Sequence, residues 1–266
     1  MSVSSLGFAV RSLRRSGGFT ATAVVTLGLA IGAATAVWSV VDALLLRPLP
    51  YRDPDRLVFI SSELPRGGYR HAPLSGPEIA DLRERSRTLA AVAGLWPTTG
   101  ALVEDGQPRP ISLGLATANL FTLLGVEPAA GRLFVTEDEG VGAPPRIVLG
   151  HAMWRERFGA DAGVVGRTLR IDGGWGFGGG SFTVIGVAPA SLLLALPADA
   201  GVPPTLDAWI PFTGDLRDGP RSQYFLRTLG RLRDGVEPQE AAEEVHAIGL
   251  QVESEHEEYA ATGRGF

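Results

Sequence analysis

The sequence predicts an α+β fold, with one N-terminal transmembrane helix leading into a two-part domain outside the cytoplasm. Three observations predict it. Residues 16–41 carry no charge; a strand followed by a helix is written into both 57–92 and 224–259; and the stretch between them alternates short apolar runs with turn residues.

The first observation concerns solvent. As a helix, 16–41 is roughly 39 Å long at about 1.5 Å per residue, against a hydrocarbon core of about 30 Å. The apolar character resumes after Asp42 through Leu46, so the predicted span is 16–46. Arg11, Arg14 and Arg15 precede it with no acid among the first 41 residues, which places the N-terminus in the cytoplasm. Residues 1–15 read as a short amphipathic helix on the inner surface, with Leu6, Val10 and Leu13 on one face. A cleaved signal peptide is the competing reading, because Ala34-Thr35-Ala36 has the small-x-small form of a cleavage site. Against it, the apolar run continues past that triplet and exceeds the roughly 7–15 residues of a signal h-region. Gly28, Gly32 and Ala36, four apart, form a stripe that lets a second helix approach, or merely reflect how common small residues are in such helices.

Composition narrows what the exported part does. The chain has 266 residues, 35 Gly, 19 Pro and no Cys, so disulfides and cysteine-based zinc sites are excluded. All 24 basic residues are Arg; without Lys there is no Walker A loop and no chemistry that needs a lysine amine. Residues 1–56 hold six Arg against three Asp, whereas the remainder holds 18 Arg against 26 acids. That acidic excess offers no basic stripe to a phosphate backbone, which argues against nucleic acid as a partner.

Element by element, Leu57-Val58-Phe59-Ile60 reads as a strand after a Pro-rich exit. Ser75-Gly76-Pro77-Glu78 has capping-box spacing, and Ile79, Leu82 and Leu89 share the face of the helix it opens. Residues 101–104, Asp105-Gly106 and 111–115 read as a hairpin, with Pro108 and Pro110 making the second strand an edge or a late starter. In the middle stand 147–149, a short helix around Met153-Trp154 and Phe158 ending at Gly159, then 169–171, 182–187 and 209–212. Near the end, 224–233 reads as a strand closed by Asp234-Gly235. Pro238 then opens a helix with Ala241, Val245, Ile248, Val252 and Tyr259 as its apolar stripe, and eight Glu between 237 and 258 read as its solvated face.

No motif for chemistry survives inspection, and the predicted catalytic, cofactor-binding and metal-binding residues are none. Gly174, Gly176 and Gly179 satisfy GxGxxG, but a strand follows where phosphate cradling needs a helix N-terminus. His71, His151, His246 and His256 lack metal-ligand spacing, and Glu137-Asp138-Glu139 reads as an acidic surface loop before a cation site. There is no GxSxG elbow and no Cys nucleophile.

Certain residues do match a known pattern. Leu13-Arg14-Arg15, Gly18-Phe19-Thr20, 27–32, 36–41 and Leu45-Leu46-Arg47-Pro48-Leu49-Pro50-Tyr51 with 53–57 resemble the start of MacB-like ABC transporter permeases of the FtsX-type orphan group. Further matches follow in order: Asn119-Leu120-Phe121, Leu124-Gly125-Val126, Gly131-Arg132, Trp154-Arg155, Arg157-Phe158-Gly159, 166–169, 184–187 and Gly230-Arg231-Leu232.

The resemblance implies a porter-like subdomain over 47–112 and 214–260, an inserted Sabre-like, strand-rich subdomain over 113–213, and a tail at 261–266. It also implies a cytoplasmic ATP-binding subunit, other permease helices or a second permease half, and the lipid bilayer as partners. In two respects the sequence departs from the family. Three further membrane helices are expected after such a domain and none precedes Phe266, and the loop at 173–180 is longer and richer in Gly than the usual turn. The expected function is therefore that of a permease core domain coupling ATP hydrolysis to movement or export outside the cytoplasm, not an enzyme. A stand-alone single-pass anchored binding or adaptor protein is the alternative.

Overall fold

The computed structural model describes residues 17–41, 51–64, 69–174, 178–194, 196–256 and 259. Two compact units divide the chain, Met1–Leu49 and Pro50–Phe266.

The first unit contains helix α1, Gly17–Val41, 25 residues without a charge. Its Thr22, Thr26 and Thr35 hydroxyls donate to the carbonyls four residues back, at 3.0, 2.9 and 2.8 Å, so these polar atoms are satisfied within the helix. Val24, Val25, Leu27, Leu29, Ile31 and Trp38 are all exposed. The predicted span of 16–46 continues beyond α1 into residues outside the described set, as do the amphipathic segment at 1–15 and the tail at 261–266. Among the described residues, no helix is long and apolar enough to cross a membrane.

The second unit is built around one nine-stranded mixed sheet. Its strands are β1 (Leu57–Ile60), β4 (Leu89–Glu104), β5 (Gln107–Ala116), β6 (Ala130–Gly131), β7 (Arg146–Leu149), β8 (Thr168–Asp172), β9 (Gly179–Val187), β10 (Ala208–Pro211) and β11 (Arg227–Leu232). β2 (Ser62–Leu64) and β3 (Tyr69–Ala72) form a separate two-stranded ribbon. The helices are α2 (Gly76–Arg85), α3 (Leu120–Leu124), α4 (His151–Phe158) and α5 (Pro238–Glu255). The sheet runs β1-β11-β4-β5-β10-β7-β9-β6, and β8 pairs both β9 and β4.

That last pairing changes the architecture. The hydrogen-bonded sequence β4-β5-β10-β7-β9-β8 returns to β4 at Ala101, Leu102 and Val103, which face Asp172, Ile171 and Arg170. Six strands thus close on themselves, which removes their edges. Strict alternation fills the interior: in β8, Leu169 and Ile171 are buried between exposed Thr168, Arg170 and Asp172. With Leu102, Ile111, Leu113, Ile147, Leu149, Phe182 and Val184 they form one apolar cluster, which Met153 of α4 joins.

β4 serves two structures because it is 16 residues long. Its first half pairs antiparallel with β11, from Leu89↔Leu232 to Leu95↔Arg227, and its second half enters the closed ring. β1 pairs antiparallel with the other edge of β11, Leu57↔Arg231 to Ile60↔Thr228. On one face of this three-stranded part lie α2 and α5. Ile60, Ile79, Leu82, Leu89, Leu226, Leu232, Ala241, Ile248 and Val252 share a single core there. Residues separated by more than a hundred positions therefore bury one another.

The local signals act as their chemistry dictates. The Ser75 Oγ accepts from the Glu78 amide while the Glu78 carboxylate accepts from the Ser75 amide at 2.6 Å, completing the capping box. Asp105 (φ 50°) and Gly106 (φ 74°) make the tight hairpin turn between β4 and β5.

Three expectations need correction. Leu89 belongs to β4, not to the α2 face, because Ser86 is extended and ends the helix; its side chain reaches the same core from the strand. β5 begins at Gln107, not Ile111. Pro108 and Pro110 are tolerated because β10 pairs β5 only from Leu113 onward, leaving that edge without a neighbour that needs their missing N–H. β5 itself runs unbroken to Ala116. Glu244 leaves the solvated face of α5 to bind the chain between α2 and β4, as detailed below.

Ile248→Ala removes a core side chain shared by α5 and β1. It is expected to cost about 2–5 kcal/mol in urea denaturation of the domain. A loss below about 0.5 kcal/mol, the range of surface substitutions, contradicts the shared core.

Candidate functional site

The geometry that distinguishes this domain lies where the chain enters it, at 51–57. Asp53 takes a left-handed conformation (φ 44°) and Pro54 opens a short 3₁₀ turn to Arg56, so the backbone arrives at β1 through a fixed corner. Arg231, on neighbouring β11, spreads its guanidinium over that corner. Its Nε donates to the Leu123 carbonyl (2.7 Å), and its terminal nitrogens donate to the carbonyls of Arg52 (2.6 Å) and Asp53 (3.4 Å). A planar fork with five N–H groups suits this task, and a lysine cannot replace it. Burial, followed by the positive charge of Arg56, pushes the Arg231 pKa below its ordinary value.

Arg56 answers from the opposite side. Its Nε and one terminal nitrogen donate to the Leu232 carbonyl at 3.0 and 2.6 Å, and the group also pairs with Asp234. The Arg52 amide donates to the Leu124 carbonyl (3.3 Å), while the Tyr51 hydroxyl donates to the Leu193 carbonyl. Burial pushes the Tyr51 phenol up to about 12. Gly125 (φ 68°) caps α3 in the left-handed conformation, and a Cβ there would collide with the Arg52 side chain. The lead-in segment is thus bonded to β11, α3 and the loop after β9.

A second set of bonds ties α5 to the first strand–helix unit. The Glu244 carboxylate accepts from the backbone amides of Arg87 (2.8 Å) and Thr88 (3.0 Å) and from the hydroxyls of Ser86 (2.6 Å) and Thr88. Burial pushes this carboxyl upward, but the four donors outweigh it and hold it down to about 2. Further along α5, Glu255 accepts from Arg85 at 3.0 and 2.7 Å, and this charge-assisted pair holds its carboxyl at about 2. Arg85 also meets Asp81, which pairs with Arg221 at 2.6 Å.

The residues tested for chemistry are scattered. The loop carrying Gly174 and Gly179 joins β8 to antiparallel β9, a strand-to-strand connection; Gly176 lies outside the described residues. His71 contacts the Asp199 carboxylate at 2.7 Å, His151 opens α4, and His246 and His256 sit along and after α5. Among the described residues, no group of acidic and histidine side chains is arranged to hold a metal.

The acidic triplet is not the surface loop that was expected. Asp138 is buried, paired with Arg132 (2.6 Å) and Arg146 (3.1 Å), and it accepts from the Val135 amide; Glu139 accepts from the Ala118 amide at 2.7 Å. Burial opposes ionisation of Asp138, yet the Arg132 bond and the amide win, and its pKa falls. A cleft of about 640 Å³ near this triplet is lined by Arg83, Glu139 and Arg217; Arg83 donates to the Val92 carbonyl and to Asn119, and Arg217 pairs at the surface with Glu84.

Comparison with known proteins matches this picture. The MacB-like periplasmic core domain family matches over residues 20–248. The chain belongs to that family, the periplasmic domain of ABC-type transporter permeases. Two solved structures share the fold. The periplasmic region of MacB from Actinobacillus actinomycetemcomitans has a TM-score of 0.53 at 16% identity, covering 74% of this chain and 83% of that one. A domain assigned to a permease protein from Porphyromonas gingivalis has a TM-score of 0.54 at 19% identity, covering 77% and 86%. Comparison with curated protein sequences gives no match.

The Glu244 clasp has a pH signature. Its folded pKa lies below the ordinary 4.5, so its contribution is complete above about pH 4.5 and disappears as pH falls through about 2. Glu244→Gln is expected to lower stability at neutral pH by about 1–3 kcal/mol and to flatten the loss across that window. Denaturation curves in which wild type and variant lose stability in parallel below pH 4.5 would refute the clasp.

Proposed function

We propose that this chain is the membrane-anchored, extracytoplasmic core domain of a MacB-like permease, which relays movement driven by ATP hydrolysis in a separate cytoplasmic subunit. The observation that carries this reading is the clamp at 51–57. A segment meant only to tether a domain needs no fixed geometry, whereas one that transmits displacement must be bonded to the structure it moves. Here Arg231, Arg56 and Tyr51 fasten the lead-in to β11 and its neighbours through backbone carbonyls.

The anchor in this reading is α1, continuing to Leu46. Support comes from 25 residues without charge, apolar side chains exposed all around it, and threonine hydroxyls bonded back into the helix. Arg11, Arg14 and Arg15 ahead of the span, with no acid among the first 41 residues, support an N-terminus inside and a domain outside, in the inner membrane and periplasm. Residues 1–15 then lie on the inner surface. Within the domain, 47–112 with 214–260 form the porter-like part and 113–213 the Sabre-like insert. The other partners are further permease helices or a second permease half. No catalytic role is assigned to any residue.

Two experiments test this. A periplasm-dependent reporter fused after Phe266 is expected to be active, and activity of a cytoplasm-dependent reporter instead reverses the topology. For the relay, Arg231→Gln in the assembled transporter should leave ATP hydrolysis intact and abolish the ATP-dependent change in hydrogen exchange of the domain. A variant that responds to ATP as wild type does removes the clamp from the coupling path.

A further inference from the structure

Past its last helix a domain loosens unless something ties the chain down. Helix α5 stops at Glu255, where His256 turns extended, yet Tyr259 is only 4% exposed. Its ring lies in the core shared by Leu74, Ile79, Leu216 and Leu226, and its amide donates to the His256 carbonyl (3.2 Å). A large side chain beyond the helix is thus seated under the sheet.

Polar groups around that ring form a circuit. The Tyr259 hydroxyl is buried beside the Glu78 carboxylate and the Arg221 guanidinium. Burial, followed by the negative charge of Glu78, pushes the phenol up to about 12, so it keeps its proton. Arg221 pairs with Asp81 at 2.6 Å, Asp81 with Arg85 at 3.3 Å, and Arg85 with Glu255 at 2.7 Å, which returns the circuit to the last residue of α5. Glu78, Asp81 and Arg85 belong to α2, and Arg221 to the connector 212–226 between β10 and β11.

That connector is itself strapped across the start of α2. Leu216 is buried in the same core, the Leu74 amide donates to the Leu226 carbonyl at 2.9 Å, and a Cβ at Gly76 would collide with the Leu216 carbonyl. Three segments far apart in sequence therefore meet at the N-terminal end of β11: α2, the connector and the end of α5. The lead-in clamp grips the other end of the strand, through Arg231 and the Leu232 carbonyl. The six residues of β11 separate the two, a span of about 20 Å at about 3.4 Å per residue.

We propose that Tyr259 is a latch: it seats the end of α5 so that the last turn of this helix, the connector and α2 open only together with β11 and do not fray separately. On the relay reading of this domain, load entering at the clamp passes along β11 to a second fixed point at the latch. That use of the latch rests on the relay reading; the latch itself does not.

The sequence has no cysteine, so an introduced thiol is unique. Val252, buried near the end of α5, and Thr228, buried in β11, are replaced singly in the full chain as V252C and T228C. Alkylation by iodoacetamide, relative to the unfolded chain, then reports how often each site opens. With Tyr259 in place the two thiols are expected to label within roughly threefold of each other, and Tyr259→Ala to accelerate V252C at least roughly threefold more than T228C. If Tyr259→Ala does not fold, Tyr259→Phe, which keeps the ring and removes the hydroxyl, is read against the same threshold. With Tyr259 intact, V252C labelling more than roughly threefold faster than T228C means that the helix end frays on its own. Acceleration of both thiols alike makes Tyr259 an ordinary core residue. Either result overturns the latch. The labelling needs no ATP-binding subunit, so its failure leaves the relay reading to its own experiments.

Discussion

Strand β11 is the constraint on which the rest of the domain depends. It is hydrogen-bonded on one edge to β1, the first strand after the lead-in, and on the other to β4, the strand that continues into the closed ring. It also carries Arg231, whose fork holds the backbone of Arg52 and Asp53. A six-residue strand thus joins the start of the domain, its shared core and its barrel. A buried face specifies the register of each pairing, so β1, β11 and β4 are joined by continuous sheet hydrogen bonds.

Absence of lysine takes on a structural meaning here. Arg56, Arg83, Arg227 and Arg231 each donate to backbone carbonyls of distant segments. A compact ammonium cannot bridge several carbonyls in one plane. The family motifs have the same character. Asn119 accepts from Arg83 and donates to the Val92 carbonyl, Gly125 gives Arg52 room, Arg132 holds buried Asp138, and the Trp154 indole donates to the Asp161 carbonyl. These positions tie separate segments of the domain together.

Much of the fold was legible because its signals are local. Capping at Ser75, the Asp105-Gly106 turn, Gly159 ending α4 and Pro238 opening α5 depend on neighbouring residues alone. Meeting of the two distant strand–helix units could be argued from their unpaired apolar stripes. Closure of the ring could not, because β8 carries no signal that selects β4 over another edge. The candidate site was illegible for a related reason. Tyr51, Arg56 and Arg231 fall within the family-like stretches, but they and Arg52 act through backbone groups, which every residue possesses, so nothing in their spacing shows that they meet. Glu244 and Asp138 look like surface acids until the partners that bury them arrive from elsewhere in the chain.

Native-state hydrogen exchange across β1 and β11 tests most directly whether the lead-in and the sheet form one rigid body. If they do, the Leu57–Ile60 amides bonded to β11 open with the same free energy as those of β11 and follow it as denaturant is raised. Exchange of β1 through a separate, lower-energy opening while β11 stays protected would contradict this, leaving the lead-in as a tether and not a relay.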